Sequence, residues 1–411
     1  MIKGTTGCGL QYAVRRSGNA VGYCALSIRC GTRDEEGFHS GIAHFTEHTI
    51  FKGTEHKSAT VINSYLDRLG GELNAYTTKE EIVLHATVLK EDLPKAAKLL
   101  FELVTSPTFP ENEIETERGV VIDEINSYKD LPSEEIYDRF EEMLFEGHPL
   151  SKPILGTAAS VRKITRDELL RFVKEKFIPS NMAFTVVADI EETKLEKAIN
   201  RLADTFLGNS ETTVHGPENN AVHHTGRNIF DKTVNKKNHQ VNCVIGNTAP
   251  SLYQERERIA TALLCNILGG PASNSVFNAI LREKNGWVYG VECSYTQYSD
   301  TGIVAICLGC DKDNIEKCIA SIDRELKKFQ AEPMSEKRLD AAKKQFLGQL
   351  AISSDNGESQ CLSMGKSLLA YNTVTSDSEI RNKIEAVTAE ELRRLACEIF
   401  DRDRTSRLIF I

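Results

Sequence analysis

Residues 44 to 48 read His-Phe-Thr-Glu-His. If that stretch is helical, His44 and His48 stand one turn apart on the same face, because side chains four residues apart stack along a helix. Glu47 falls beside them, close enough to reach a water held by the same metal. Two neutral imidazoles and one anionic oxygen donor make up the ligand set of a catalytic zinc site, whose fourth position stays open. The surrounding residues carry the local marks of a helix of about three turns. Ser40 is a candidate cap, Ile42, Phe45 and Ile50 supply apolar positions, and Lys52-Gly53 makes a stop.

The third donor has to come from further along the chain. Between Pro110 and Lys129, the apolar residues Ile114, Val121, Ile125 and Tyr128 recur at helical spacing, with Pro110 near the start. Glu117 and Glu124 fall into that same stripe, where a leucine would ordinarily pack. A carboxylate withdrawn from water is costly unless a cation or hydrogen-bond donors compensate it. A zinc ion would supply that compensation.

The run HFTEHTIFKGT, followed by ERGVVIDEINSYKDLP with His48 and Glu124 separated by 124 − 48 = 76 positions, resembles the inverted-motif zinc peptidases of the insulinase and pitrilysin family. Within it, the likeness is to the short-chain branch that includes mitochondrial processing peptidase and its bacterial relatives. The resemblance implies that His44, His48 and Glu124 hold one Zn²⁺ per chain, that Glu47 is the general base, and that Glu117 is a supporting carboxylate. Thr46 and Thr49 stand where relatives commonly carry apolar side chains.

A second segment, ILGGPASNSVFNAILREKNGWVYGVECSY, is similar to the family's carboxy-half signature, which makes Arg282 and Tyr289 substrate contacts and Tyr289 a donor to a developing oxyanion. GELNAYTTKE matches the segment where the family adds an extended substrate to a sheet edge, so Asn74, Ala75 and Tyr76 become candidate backbone clamps. The activity implied is that of a zinc metalloendopeptidase cutting unfolded peptides or short protein segments. Because the chain carries both signatures, the resemblance also implies a homodimer in which Arg282 and Tyr289 act in trans. The alternative is a non-catalytic scaffold or partner subunit, since the family includes such proteins.

Composition sets the outer limits. The 411 residues suffice for two domains, and 40% hydrophobic with 27% charged residues is the balance of a globular chain. A net charge of −9 without basic clusters argues against nucleic acid as a partner. No apolar run is long enough to span a membrane, and the first residues lack the apolar core of an export signal. Eleven cysteines without a spacing framework suit reduced thiols, so the expected compartment is the cytoplasm. Cys307 and Cys310 form a lone CxxC without a second pair and read as buried thiols rather than a zinc ribbon.

The elements expected to position these residues alternate between strand and helix. Tyr23 to Cys30 places Cys24, Leu26, Ile28 and Cys30 on one face of a half-buried strand, and Ile82 to Val88 alternates likewise. Between them come the histidine helix and a second helix, Ser58 to Leu69, closed by Gly70-Gly71; Leu93 to Val104 forms another amphipathic helix. The segment KITRDELLRFVKEKF from Lys163 echoes AVTAEELRRLACEIF from Ala386, and each precedes a strand-like run. The expectation is an α+β chain of two related domains, each a mostly antiparallel sheet flanked by helices. Residues 1–208 would carry the metal, 209–228 would be a polar linker containing His215, His223 and His224, and 229–411 would be the duplicate without metal ligands.

Overall fold

The computed structural model describes residues 1–208, 228–236 and 240–411. The expected linker, with His215, His223 and His224, lies outside the described residues except for Asn228. The described residues divide between two compact units, drawn from Met1–Asn126 with Lys152–Glu218 and Ile352–Thr375, and from Ser127–Ser151 with Asn219–Ala351 and Ser376–Ile411. Each half of the sequence therefore lends a segment to the other unit, which a division into contiguous halves leaves out.

The first unit is built on a six-stranded sheet. Its strands are β1 (Ile2–Thr5), β2 (Gln11–Arg16), β3 (Val21–Ile28), β4 (Glu72–Thr77), β5 (Ile82–Leu89) and β6 (Met182–Ala188), in the order β1-β2-β6-β3-β5-β4. Only β2 and β6 run parallel. One face carries the main core, in which Leu26, Ile28, Leu84 and Phe184 meet Phe101 and Leu100 of the helix Leu93–Thr105 and Ile42 and Phe45 of the helix Ile42–Ile50. The other face is covered by the helix Gly357–Tyr371, which packs Cys361, Met364, Leu368 and Leu369 onto Ala13, Ala25, Val83, Ala183 and Val187.

That second cover corrects the reading of β3 as half-buried. Ala25 and Ser27 are as inaccessible as Leu26 and Ile28, because a helix from the far end of the chain closes the face that alternation alone leaves open to water. The helix expected from Ser58 to Leu69 is also interrupted. Residues Ala59–Asn63 form a short helix and Asp67–Leu69 a single 3-10 turn. Ile62 and Leu66 alone are fully buried there, too little apolar contact to sustain three turns against weak helix formers such as Asn63 and Ser64.

The second unit has strands β7 (Asp231–Val234), β8 (Val241–Ala249), β9 (Val288–Gln297), β10 (Gly302–Cys310) and β11 (Ser406–Phe410), in the order β7-β11-β8-β10-β9. With β1 set aside, this is the first sheet's topology again: β11 lies parallel to β7 and antiparallel to β8, as β6 lies parallel to β2 and antiparallel to β3. The echo in the sequence marks equivalent helices. Thr165 caps Arg166–Lys176 by accepting from the Glu168 backbone N–H, and Thr388 caps Ala389–Ile399 by accepting from that of Glu391. On this sheet, Ile136, Phe140 and Leu144 of the helix Pro132–Leu144 pack against Val244, Ile303, Ala305 and Phe410. Among the described residues, no helix is long and apolar enough to cross a membrane.

Gly365 lets the helix Gly357–Tyr371 sit close to the first sheet: a Cβ there would stand 2.4 Å from Ser27 Oγ and 3.3 Å from Ser27 Cβ. The Thr185 hydroxyl donates to the Cys361 carbonyl at 2.8 Å in the same layer. Gly365→Val should lift the helix and destabilise the fold by ~1–3 kcal/mol, read as a lower urea midpoint. An unchanged midpoint would contradict this packing.

Candidate metal centre

The helix Ile42–Ile50 owes its start to a residue that the sequence reading passed over. Gly41 has a φ of +90°, a conformation open to glycine. Its N–H donates to both Glu35 carboxylate oxygens at 3.0 Å, and the Ala43 N–H donates to Glu35 Oε1 at 3.1 Å. Glu35, not Ser40, thus satisfies the first turn; the Ser40 hydroxyl has no hydrogen-bond partner among the described residues. A Cβ on Gly41 would lie 2.8 Å from the Leu155 carbonyl, so the helix start is wedged against residues 155–156. Burial pushes the Glu35 carboxyl up to about 7, opposed by the Ala43 and Gly41 N–H groups and by the charges of Lys152 and Lys79.

From this fixed start, Ile42, Phe45 and Ile50 enter the core, and His44 and His48 emerge together with ring centroids 4.7 Å apart. The helix Glu111–Lys129 faces them, burying Ile114, Val121 and Ile125 while directing Glu117 and Glu124 at the imidazoles. Glu124 Oε2 lies 3.8 Å from His44 Nε2 and 3.5 Å from His48 Nε2. One donor atom from each of His44, His48 and Glu124 falls within 4.8 Å of the others, the one such cluster among the described residues.

The donor set suits a cation. Glu124 Oε2 is a buried acceptor with no hydrogen-bond partner among the described residues, an arrangement that costs free energy unless positive charge satisfies it. Ligands about 2 Å from a shared tetrahedral zinc stand roughly 3.4 Å apart, near the separations seen here. Burial, then the charge of His48, lowers His44 to about 4 against the pull of Glu124, leaving a neutral imidazole. Burial also depresses His48, but the adjacent Glu124 and Glu117 carboxylates outweigh it and leave the net shift upward. The neighbouring His48 imidazole, 3.5 Å away, holds Glu124 below the usual range.

Glu47 and Glu117 flank this trio. Thr77, at the end of β4, donates from its hydroxyl to Glu47 Oε2 at 2.7 Å, and burial raises the Glu47 carboxyl against that hydrogen bond. Glu117 Oε2 is 3.2 Å from His48 Nδ1, while its other oxygen is 2.7 Å from Lys52 Nζ. Thr46 and Thr49 are both buried; Thr49 donates to the Phe45 carbonyl at 2.6 Å, whereas the Thr46 hydroxyl has no partner among the described residues. Besides Glu35, the sequence reading missed Thr77 and Lys52. For Lys52 a signal existed, since it follows His44 and His48 at the same spacing of four.

Asn74, Ala75 and Tyr76 lie on β4, paired with His85, Leu84 and Val83 of β5. β4 ends the sheet, and its outer edge has no strand neighbour among the described residues. Arg282 and Tyr289 belong to the second unit. Arg282 is exposed on the π-helical turn Asn278–Lys284, and Tyr289, on β9, is 63% exposed with its hydroxyl donating to Asp311 Oδ1 at 2.7 Å. The eleven cysteines are all free thiols; Cys310 is buried and Cys307 half-buried.

Comparison with known proteins adds to this geometry. Residues 12–158 match the family described as Insulinase (Peptidase family M16), and residues 163–346 match the Peptidase M16 inactive domain. A Bacillus subtilis protein called an uncharacterized zinc protease is 30% identical over 93% of this chain and 91% of its own length. This chain belongs to the insulinase family of peptidases. A Rickettsia bellii protein, also called an uncharacterized zinc protease, is 29% identical over 93% of the chain and 91% of its own. The insulinase-family fold is shared with the crystal structure of a protease from Helicobacter pylori, at a TM-score of 0.90 and 21% identity over 100% of this chain and 99% of that one. It is shared too with a peptidase M16 inactive domain from Pseudomonas fluorescens, at 0.88 and 18% over 100% and 97%. The expected α+β architecture of two related domains therefore holds.

The Glu35 cap carries a pH signature. Its folded value, about 7, lies above its ordinary 4.5, so the folded state binds the proton more tightly. That contribution is fully present below about pH 4.5 and is lost as pH rises through 7. In metal-free protein, the wild type should lose roughly 2–3 kcal/mol more between pH 5 and 8 than Glu35→Gln does. Urea midpoints of both proteins at the two pH values check this, and parallel pH profiles would contradict it.

Proposed function

We propose that this chain is a zinc-dependent endopeptidase acting on unfolded peptides or short protein segments, with one Zn²⁺ per chain held by His44, His48 and Glu124. The observation that carries this is the convergence of their donor atoms around a carboxylate oxygen that lacks a hydrogen-bond partner among the described residues. Zinc, when bound, supplies Lewis-acid polarisation of the scissile carbonyl and makes water acidic enough to be a nucleophile near neutral pH.

The protein's own residues supply the rest. Thr77 holds Glu47 by Oε2, leaving Oε1 to take the proton of the attacking water and return it to the leaving amine. Thr77 also ends β4, so the base is tied to the strand proposed to receive substrate. An extended peptide would pair with the open edge of β4 at Asn74, Ala75 and Tyr76, gaining backbone hydrogen bonds that need no particular side chain. That favours unfolded segments over folded domains.

Arg282 and Tyr289 would donate to substrate carbonyl oxygens, Tyr289 to the developing oxyanion. In keeping with the family resemblance, we assign them to a second copy of the chain in a homodimer. The free thiols support a reducing compartment such as the cytoplasm. The scaffold reading has less behind it, because a chain without catalysis has no use for an intact trio with Glu47 beside it. The match of the carboxy half to an inactive domain fits a division of labour in which only the amino half carries metal ligands.

Glu47→Gln should lower cleavage of a denatured peptide panel by about 10²–10⁴-fold while one zinc per chain is retained, and a chelator should abolish cleavage by the wild type. Mass spectrometry of products and metal analysis read both; cleavage by metal-free or Glu47→Gln protein at the wild-type rate would overturn the assignment. Mixing Glu47→Gln with Tyr289→Phe protein should restore activity on subunit exchange, whereas no recovery would mean that Tyr289 does not act in trans.

A further inference from the structure

The two histidines of the cluster are held differently. His44 Nδ1 is buried with no hydrogen-bond partner among the described residues, so its own helix and packing alone orient that ring. His48 Nδ1 faces Glu117 Oε2 at 3.2 Å. A metal-binding imidazole is ordinarily fixed through its second nitrogen, which sets both tautomer and ring orientation. Here only His48 has that support, so the carboxylate of Glu117 carries it for the pair.

Glu117 needs support in turn. It is 7% exposed, and a carboxylate so nearly removed from water is stable only beside compensating charge. That charge is Lys52 Nζ, 2.7 Å from Glu117 Oε1. The two oxygens therefore divide their work: Oε1 takes the ammonium and Oε2 takes the imidazole. Without the ammonium, the carboxylate would gain by swinging toward solvent, and His48 would lose its anchor.

Lys52 is itself fixed by the chain leaving the histidine helix. Its N–H donates to the Thr49 carbonyl at 3.0 Å, and the Gly53 carbonyl accepts from the Thr108 N–H at 3.0 Å. Thr54 bridges to Pro107, and its hydroxyl donates to Glu102 Oε1 at 2.6 Å. A lysine is normally among the most mobile side chains, but this one starts from a pinned backbone and ends on a buried carboxylate.

We propose that Lys52 is a positioning residue of the metal centre: by holding Glu117 it keeps His48 turned so that Nε2 faces Glu124 and the ion. This rests on the zinc reading above. Lys52 does not touch the ion or the substrate, so its effect appears in metal affinity before activity is measured.

The test is zinc affinity of metal-stripped full-length protein, measured by competition with a chromophoric chelator. Lys52→Met should weaken binding about 10- to 100-fold, and Lys52→Arg, which restores a cation, should recover most of it. Combining Lys52→Met with Glu117→Gln should cost no more than Glu117→Gln alone, since both break one chain of contacts. Thermal unfolding of the metal-free proteins identifies any variant that does not fold; Lys52→Gln replaces Lys52→Met in that case. Wild-type affinity in the folded Lys52 variant, or losses that multiply in the double variant, would overturn the role of Lys52 alone. Failure of the wild type to bind one zinc per chain would overturn the metal reading and this inference together.

Discussion

Charge buried between two helices is the constraint on which the first unit turns. The helix Ile42–Ile50 and the helix Glu111–Lys129 bring two imidazoles and two carboxylates together in a place where water cannot fully solvate them. Such a cluster is destabilising unless each charge has a partner. Lys52 answers Glu117, and the carboxylates near by are answered too: Thr77 holds one oxygen of Glu47, and backbone N–H groups hold Glu35 at the helix start. Glu124 Oε2 is the exception, and it lies 3.8 Å from His44 Nε2 and 3.5 Å from His48 Nε2. A site left one positive charge short at that point is prepared for a cation.

The fold around this site solves a covering problem twice. A twisted, mostly antiparallel sheet has two faces, and each unit needs helices on both. Each sheet takes one of its covers from the opposite half of the chain: Gly357–Tyr371 for the first and Pro132–Leu144 for the second. The shared strand order, the single parallel pair at the same place and the matching Thr caps point to one design used twice. Among the described residues, the one cluster of histidines and glutamate able to hold a metal lies on facing helices of the first unit, although both units share the sheet plan.

How far the sequence could be read depends on the range of each interaction. His44, Glu47 and His48 share one helical turn, so spacing alone brings them together. Glu124 could be picked out because it interrupts an apolar stripe, although its choice over Glu117 as a ligand relied on family likeness. The Glu35 cap was not legible, because a nearer candidate, Ser40, satisfied the local pattern while a loop carried Glu35 back to the helix start. Nothing in the spacing of β3 itself shows that Gly357–Tyr371, more than three hundred positions later, covers its second face, and so β3 looked half-exposed. The interrupted helix after Ser58 shows the same limit, since propensity over twelve positions cannot count the apolar contacts a tertiary neighbour will provide.

X-ray absorption of zinc-loaded protein tests most directly whether one zinc ion is shared by His44, His48 and Glu124. The predicted shell contains only nitrogen and oxygen at about 2.0–2.2 Å, with the signature of two imidazoles, and loses one imidazole in His44→Phe. Sulfur scattering at about 2.3 Å would place the metal on the cysteines instead. A shell unchanged by His44→Phe would likewise contradict the account.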